Sequence, residues 1–202
     1  MNMPDFADTM RERLFAQRVV PIFGPLTDES VSEVAAQLWT LDAASDDPVT
    51  LMASCRGGSV RATLALIDAL DVVEVAVNAT CLGALEGPPV AILAACARRR
   101  AAPSTRFFLR DEADRIDGPF RTLEQSARAL FDERRQLLER LAASTKGRHS
   151  LGDLVADFER GRGLSVDEAI TYGLIDEVTP DGDRIVALGR LNPGIGFRKP
   201  SR

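Results

Sequence analysis

Side chains able to do chemistry are few in this chain. There is one histidine, His149, and there are three cysteines, Cys55, Cys81 and Cys96. A thiol nucleophile needs a base within hydrogen-bond reach. His149 lies in Lys146-Gly147-Arg148-His149-Ser150, a loop ahead of a helix starting near Leu151, and reads as a solvated loop histidine or a neighbour of that helix start. Cys55 stands two residues before the pair Gly57-Gly58, and a lone cysteine without a base reads as packing. An odd number of cysteines without metal-ligand spacing predicts neither a disulfide nor a zinc site. They read as small buried residues in a reducing cytosol, and no metal or cofactor is expected. Glu86, beside Gly87, adds a carboxylate.

A chain of 202 residues, 45% hydrophobic and 27% charged, suits one soluble α/β domain with a full-sized core. A net charge of -5 disfavours general binding to nucleic acid or anionic membranes. Met1-Asn2-Met3-Pro4-Asp5-Phe6 has neither the basic region nor the apolar run of a secretory signal. No apolar run approaches the ~20 residues a membrane span needs. The expectation is a cytoplasmic globular domain.

The elements that must position these residues alternate. Residues 10–17 read as a short amphipathic helix, and Arg18 to Phe23 as a strand closed by Gly24-Pro25. Pro21 cannot donate to a ladder, which argues for an edge strand or a bulge. Thr27 is a good N-cap with Asp28 and Glu29 in the first turn, and Val31, Val34, Ala35, Leu38 and Leu41 form a helical stripe. The second cycle is a strand at 49–53, a glycine turn at 55–58 and a helix from Val60 to Leu70. The third is a strand from Val72 to Val77, a turn at Cys81-Leu82-Gly83 and a helix from Pro88 to about Arg99. Phe107-Phe108-Leu109 is a short strand. Such alternation predicts a mostly parallel sheet with right-handed crossovers. Residues 120–143 are the most regular stretch: Leu123, Ala127, Leu130, Leu137/Leu138 and Leu141 keep helical spacing. Arg134 interrupts that stripe, so this face is expected to meet a partner as well as its own domain.

Three segments, in this order and spacing, resemble the ClpP family, the proteolytic subunits of ATP-dependent Clp proteases. Arg13-Leu14…Arg18-Val19-Val20…Gly24-Pro25-Leu26 is similar to the family's first helix, first strand and turn. Ala53-Ser54-Cys55-Arg56-Gly57-Gly58-Ser59-Val60 resembles Ile-Asn-Ser-Pro-Gly-Gly-Ser-Val. Leu164-Ser165-Val166-Asp167-Glu168-Ala169…Tyr172-Gly173-Leu174-Ile175-Asp176 resembles the C-terminal signature. The resemblance implies a ClpP/crotonase-like α/β fold of repeated β-α units, with a mostly parallel sheet and a protruding "handle" helix at about 120–143. It further implies a domain at 13–180, a short N-terminal extension at 1–12 and a C-terminal strand or tail at 181–202.

The same resemblance places this chain's residues where the family carries its serine, histidine and aspartate. Serine's place in Gly-Gln-Ala-Ala-Ser-Met-Gly falls at Gly87 of Gly83-Ala84-Leu85-Glu86-Gly87-Pro88-Pro89; glycine offers no nucleophile. The histidine of Arg-Ile-Met-Ile-His falls at Arg110 of Arg106-Phe107-Phe108-Leu109-Arg110, given a short deletion between Ala97 and Pro103. A guanidinium has donors and no acceptor, so it cannot be a general base. The aspartate falls at Gly161 of Asp157-Phe158-Glu159-Arg160-Gly161-Arg162-Gly163-Leu164-Ser165. Of the two oxyanion donors, Gly58 keeps one, and Pro88, having no N–H, removes the other.

The resemblance therefore implies a catalytically inactive, structural or regulatory ring subunit, its former cleft lined by Gly57, Gly58, Glu86 and Pro88. Implied partners are the chain itself or active ClpP subunits, in a heptameric or stacked ring. About a dozen residues precede the first helix, so docking of an unfoldase through the family's axial N-terminal segment is not expected. Two alternatives stand beside this reading. One is an active serine-type or other hydrolase with a relocated site at Cys55 or Glu86. The other is a stand-alone module that binds peptide or acyl groups around Gly57-Gly58.

Overall fold

The first β-α cycle shows how local chemistry sets the architecture. The hydroxyl of Thr27 accepts from the Ser30 N–H and opens helix α2 (Asp28–Ala44), whose stripe of Val31, Val34, Ala35, Leu38 and Leu41 is buried as its spacing requires. At the other end, the Arg18 guanidinium donates to the carbonyls of Leu41, Ser45 and Asp47 at 2.8, 3.1 and 2.6 Å, tying down the helix end and the turn after it. This computed structural model describes residues 6–112 and 119–179. The expected C-terminal segment, residues 181–202, lies outside them.

Helix α1 (Phe6–Ala16) leads into strand β1 (Val19–Phe23), and so takes in residues 6–12 of the segment expected as a short extension. Strand β2 (Val49–Arg56), helix α3 (Val60–Val72) and strand β3 (Val77–Glu86) follow. A 3-10 helix (Pro88–Ala95), strands β4 (Arg98–Ala101) and β5 (Arg106–Leu109) and helix α4 (Phe120–Ser144) come next. Helix α5 (Leu151–Arg160), strand β6 (Arg162–Leu164), helix α6 (Val166–Tyr172) and strand β7 (Glu177–Val178) complete the described chain. The strands form one sheet in the order β1-β2-β3-β4-β7, with β5 pairing β3 and β6; every pairing is parallel except β5 with β6. Pro21 lies in β1, which pairs β2 alone, as an edge strand accommodates it.

The third cycle departs from the sequence reading. The strand expected at Val72–Val77 begins only at Val77, and Cys81-Leu82-Gly83 is no turn. The register with β2 runs from Ala53↔Cys81 to Cys55↔Leu85, so β3 bulges there and then continues. The bulge divides the strand's partners: Asn78–Cys81 pair β4, and Ala84–Glu86 pair β5. The helix expected to reach Arg99 is 3-10 and stops at Ala95, because three arginines are drawn into β4 by acids far away in sequence. Arg99 pairs Asp176 at 2.7 Å, and Arg98 and Arg100 pair Glu177 at 3.4 and 2.6 Å.

Helix α4 divides in two. Leu137, Leu138 and Leu141 are buried, while Leu123, Ala127 and Leu130 are half-buried and Phe131 is 71% exposed. The helix packs against α3, the 3-10 helix and α5. No described helix is long and apolar enough to cross a membrane.

Candidate functional site at the ends of β3 and β5

The sheet gathers several strand ends at one edge. Strand β3 ends at Glu86, and the N–H of Gly87 donates to the Phe108 carbonyl of β5 at 2.8 Å. Gly87 has φ 68° and ψ -147°, a conformation essentially reserved for glycine. Pro88 follows, buried at the first position of the 3-10 helix. Strand β5 leads into Arg110, and its antiparallel pairing sets Leu109 against Arg162. The pairing ends there: Arg110 directly follows β5, and Gly161, the left-handed C-cap of α5, directly precedes β6. Gly87, Arg110 and Gly161, far apart in sequence, thus sit on neighbouring strand ends.

The glycine pair joins them from β2. The Leu26 N–H donates to the Gly57 carbonyl at 3.0 Å, and the Ser59 N–H to the Leu26 carbonyl at 3.3 Å. Ser59 then caps α3 through the Ala62 N–H at 3.0 Å. A Cβ on Gly58 would lie 2.6 Å from the Leu26 Cβ and 2.8 Å from its carbonyl, so this position excludes any side chain. Gly58→Trp, which would fill the expected binding cleft, would therefore break the turn instead.

The charges at this edge are paired. Arg110 Nη2 donates to Glu86 Oε2 at 2.8 Å and stands 3.5 Å from Glu112 Oε1. Glu86 is thus held by a guanidinium. Glu112 enters beside the glycines: a Cβ on Gly57 or Gly87 would lie 2.7 or 3.1 Å from its Oε1. Next to it, Asp111 accepts from both Nε and Nη2 of Arg134 on α4 at 2.8 Å, which accounts for the arginine that interrupts the α4 stripe. Glu112 stands outside every motif in the sequence. Its only local signal is an acid two residues past Arg110, at the exit of a short strand.

The other candidates lie apart or are unsuited. Cys55 is fully buried, its Sγ 3.8 Å from the Ile22 carbonyl, and burial pushes its thiol up to about 12. A thiol held neutral at physiological pH is no nucleophile. His149 precedes Ser150, the N-cap of α5, as expected of a helix-start neighbour; its ring stacks on Tyr172 with centroids 3.7 Å apart.

A family model described as Clp protease matches residues 4–181, most of the chain. This chain belongs to the Clp protease family. It is a ClpP-like protein, and its mixed α/β fold with a mostly parallel sheet agrees with that membership.

Beyond the site, α5, β6 and α6 are built around one buried carboxylate. Asp157 is 2% exposed and accepts from the Tyr172 hydroxyl at 2.8 Å, Arg160 at 2.6 Å and Arg162 at 3.0 Å. Burial works to raise its pKa, but these three donors outweigh it and hold the carboxyl below the usual carboxylate range. Burial first, and the bond to Asp157 second, push the Tyr172 phenol up. Ser165 caps α6 with Glu168 closing a reciprocal box. Asp176 then takes both Nε and Nη2 of Arg99, and those hydrogen bonds hold it low.

Proposed function

We propose that this chain is a non-hydrolytic, ClpP-like subunit that serves a structural or regulatory role in a ring of Clp-type subunits. The observation carrying this reading is Gly87 at the exit of β3. It supplies no nucleophile, and its backbone adopts a conformation in which serine would be strained by roughly 1–3 kcal/mol. Around it, Arg110 is engaged by carboxylates, Gly161 serves as a helix C-cap, and Pro88 has no N–H to offer an oxyanion. Assembly is supported by α4, where Leu123, Ala127 and Phe131 recur at i, i+4 spacing and are left half-buried or exposed. Such a row fits a second subunit, either another copy of this chain or an active ClpP-type relative, in a heptameric or stacked ring in the cytoplasm.

A hydrolase with a relocated site finds less support. Cys55 is a buried neutral thiol, and Glu86 is committed to Arg110. The test is hydrolysis of fluorogenic peptides, with light scattering on the same preparation. The expected result is no turnover above buffer, in the native chain or in Gly87→Ser, and a mass well above one subunit. Turnover abolished by Glu86→Gln or Cys55→Ala would establish the hydrolase instead. A monomer binding no relative would end the ring reading.

A further inference from the structure

Glu112 is the one carboxylate at the cleft whose surroundings do not account for its position. Its Oε1 is buried and accepts no hydrogen bond among the described residues. The nearest cation, Arg110 Nη2, is 3.5 Å away and already donates to Glu86 at 2.8 Å. An acceptor atom buried without a donor is unfavourable. The side chain is held there by the chain on its N-terminal side, where Arg134 of α4 clamps Asp111 through two bonds. The space it enters exists because Gly57 and Gly87 have no side chains.

We propose that the space left by Gly57 and Gly87 is a binding site for a ligand carboxylate, anchored by Arg110, with Glu112 as the resident competitor. The ligand is a carboxylic acid, either free or as the C-terminal carboxylate of a peptide. The charge count requires exchange: one guanidinium already faces two carboxylates, Glu86 and Glu112. A third would add repulsion, whereas replacing Glu112 leaves the charge of the cluster unchanged. The ligand also gains what Glu112 lacks. Among the described residues Arg110 hydrogen-bonds Glu86 alone, and its side chain is 48% exposed. A carboxylate free of the Asp111 clamp can take the remaining guanidinium N–H groups in a two-point pairing, which is stronger than a single contact. The site requires no hydrolysis and no ring, so it goes beyond the subunit reading without resting on it.

Calorimetric titration of the full chain tests it, using N-acetyl-trialanine as the free acid, its C-terminal amide, and propionate. The Glu112→Ala variant is expected to bind the tripeptide acid about tenfold more tightly than the native chain. The isosteric Glu112→Gln should shift affinity the same way, which covers the case in which the alanine variant folds poorly. Arg110→Gln added to either should abolish binding, and the amide should not bind. Propionate matching the tripeptide acid assigns the site to free carboxylic acids; binding of the tripeptide acid alone assigns it to peptide C-termini. Equal binding of acid and amide, unchanged affinity in both Glu112 variants, or binding that survives Arg110→Gln would overturn the proposal. Light scattering on the same samples reports assembly separately, so a failed site and a failed ring are distinguishable.

Discussion

Two carboxylates separate two regions of this molecule. Asp157 is almost wholly buried and takes three donors, one of them the only tyrosine in the chain. Glu112 is partly open, one of its oxygens is buried without a donor, and its arginine is shared with Glu86. The first arrangement ties α5, β6 and α6 together. The second joins only neighbouring strand ends, Glu86 of β3 and Arg110 after β5. A fully bonded buried charge belongs to the fold, whereas an under-bonded one beside glycines marks a place where something else can bind.

The contrast is most easily broken at Asp157. Asp157→Ala strands a buried tyrosine hydroxyl and releases two arginines, and should lower stability by about 3 kcal/mol in urea unfolding. Glu112→Ala should leave stability within about 1 kcal/mol. Equal losses in the two variants would erase the distinction. The glycine turn should come second: Gly58→Ala forces a Cβ against the Leu26 backbone and should lose about 1–3 kcal/mol by the same measurement.

Acid titration sharpens the comparison further. The folded-state pKa of Asp157 lies below its unfolded value of about 3.9. Its contribution is therefore fully present above that value and is lost as pH falls through the depressed folded one. The stability of Asp157→Asn should fall less steeply below about pH 4 than that of the native chain. A loss smaller than at the glycine turn is expected at Ser150, whose hydroxyl accepts from the Asp153 N–H to cap the helix carrying Asp157. Ser150→Ala should cost about 1 kcal/mol, and a loss as large as that of Asp157→Ala would move the weight from the carboxylate to the cap.

What could be read in the sequence was local. The α2 stripe and its Thr27 cap follow from spacing and side-chain chemistry within a single element, as does the edge position of Pro21. The third cycle could not be read that way. Gly83 resembles a turn glycine until Ala84–Glu86 find β5, and Arg98–Arg100 resemble a solvated helix end until Asp176 and Glu177 arrive from the far end of the domain. The cleft divides along the same line. Gly57, Gly58, Glu86, Gly87, Pro88, Arg110 and Gly161 were visible through their place in family-like motifs. Glu112 was not, because its meaning comes from two absent side chains and from a clamp on α4. Asp157 stood in a quoted motif without a role, since its donors include a tyrosine from the following helix.

Native mass spectrometry of the tagged protein, purified from its own host, tests the central claim most directly. Mixed assemblies in which this chain sits with active ClpP-type subunits, or a ring of this chain, are expected, with no peptide turnover attributable to it. A monomer with no relative bound would contradict that account, as would hydrolysis by assemblies of this chain alone.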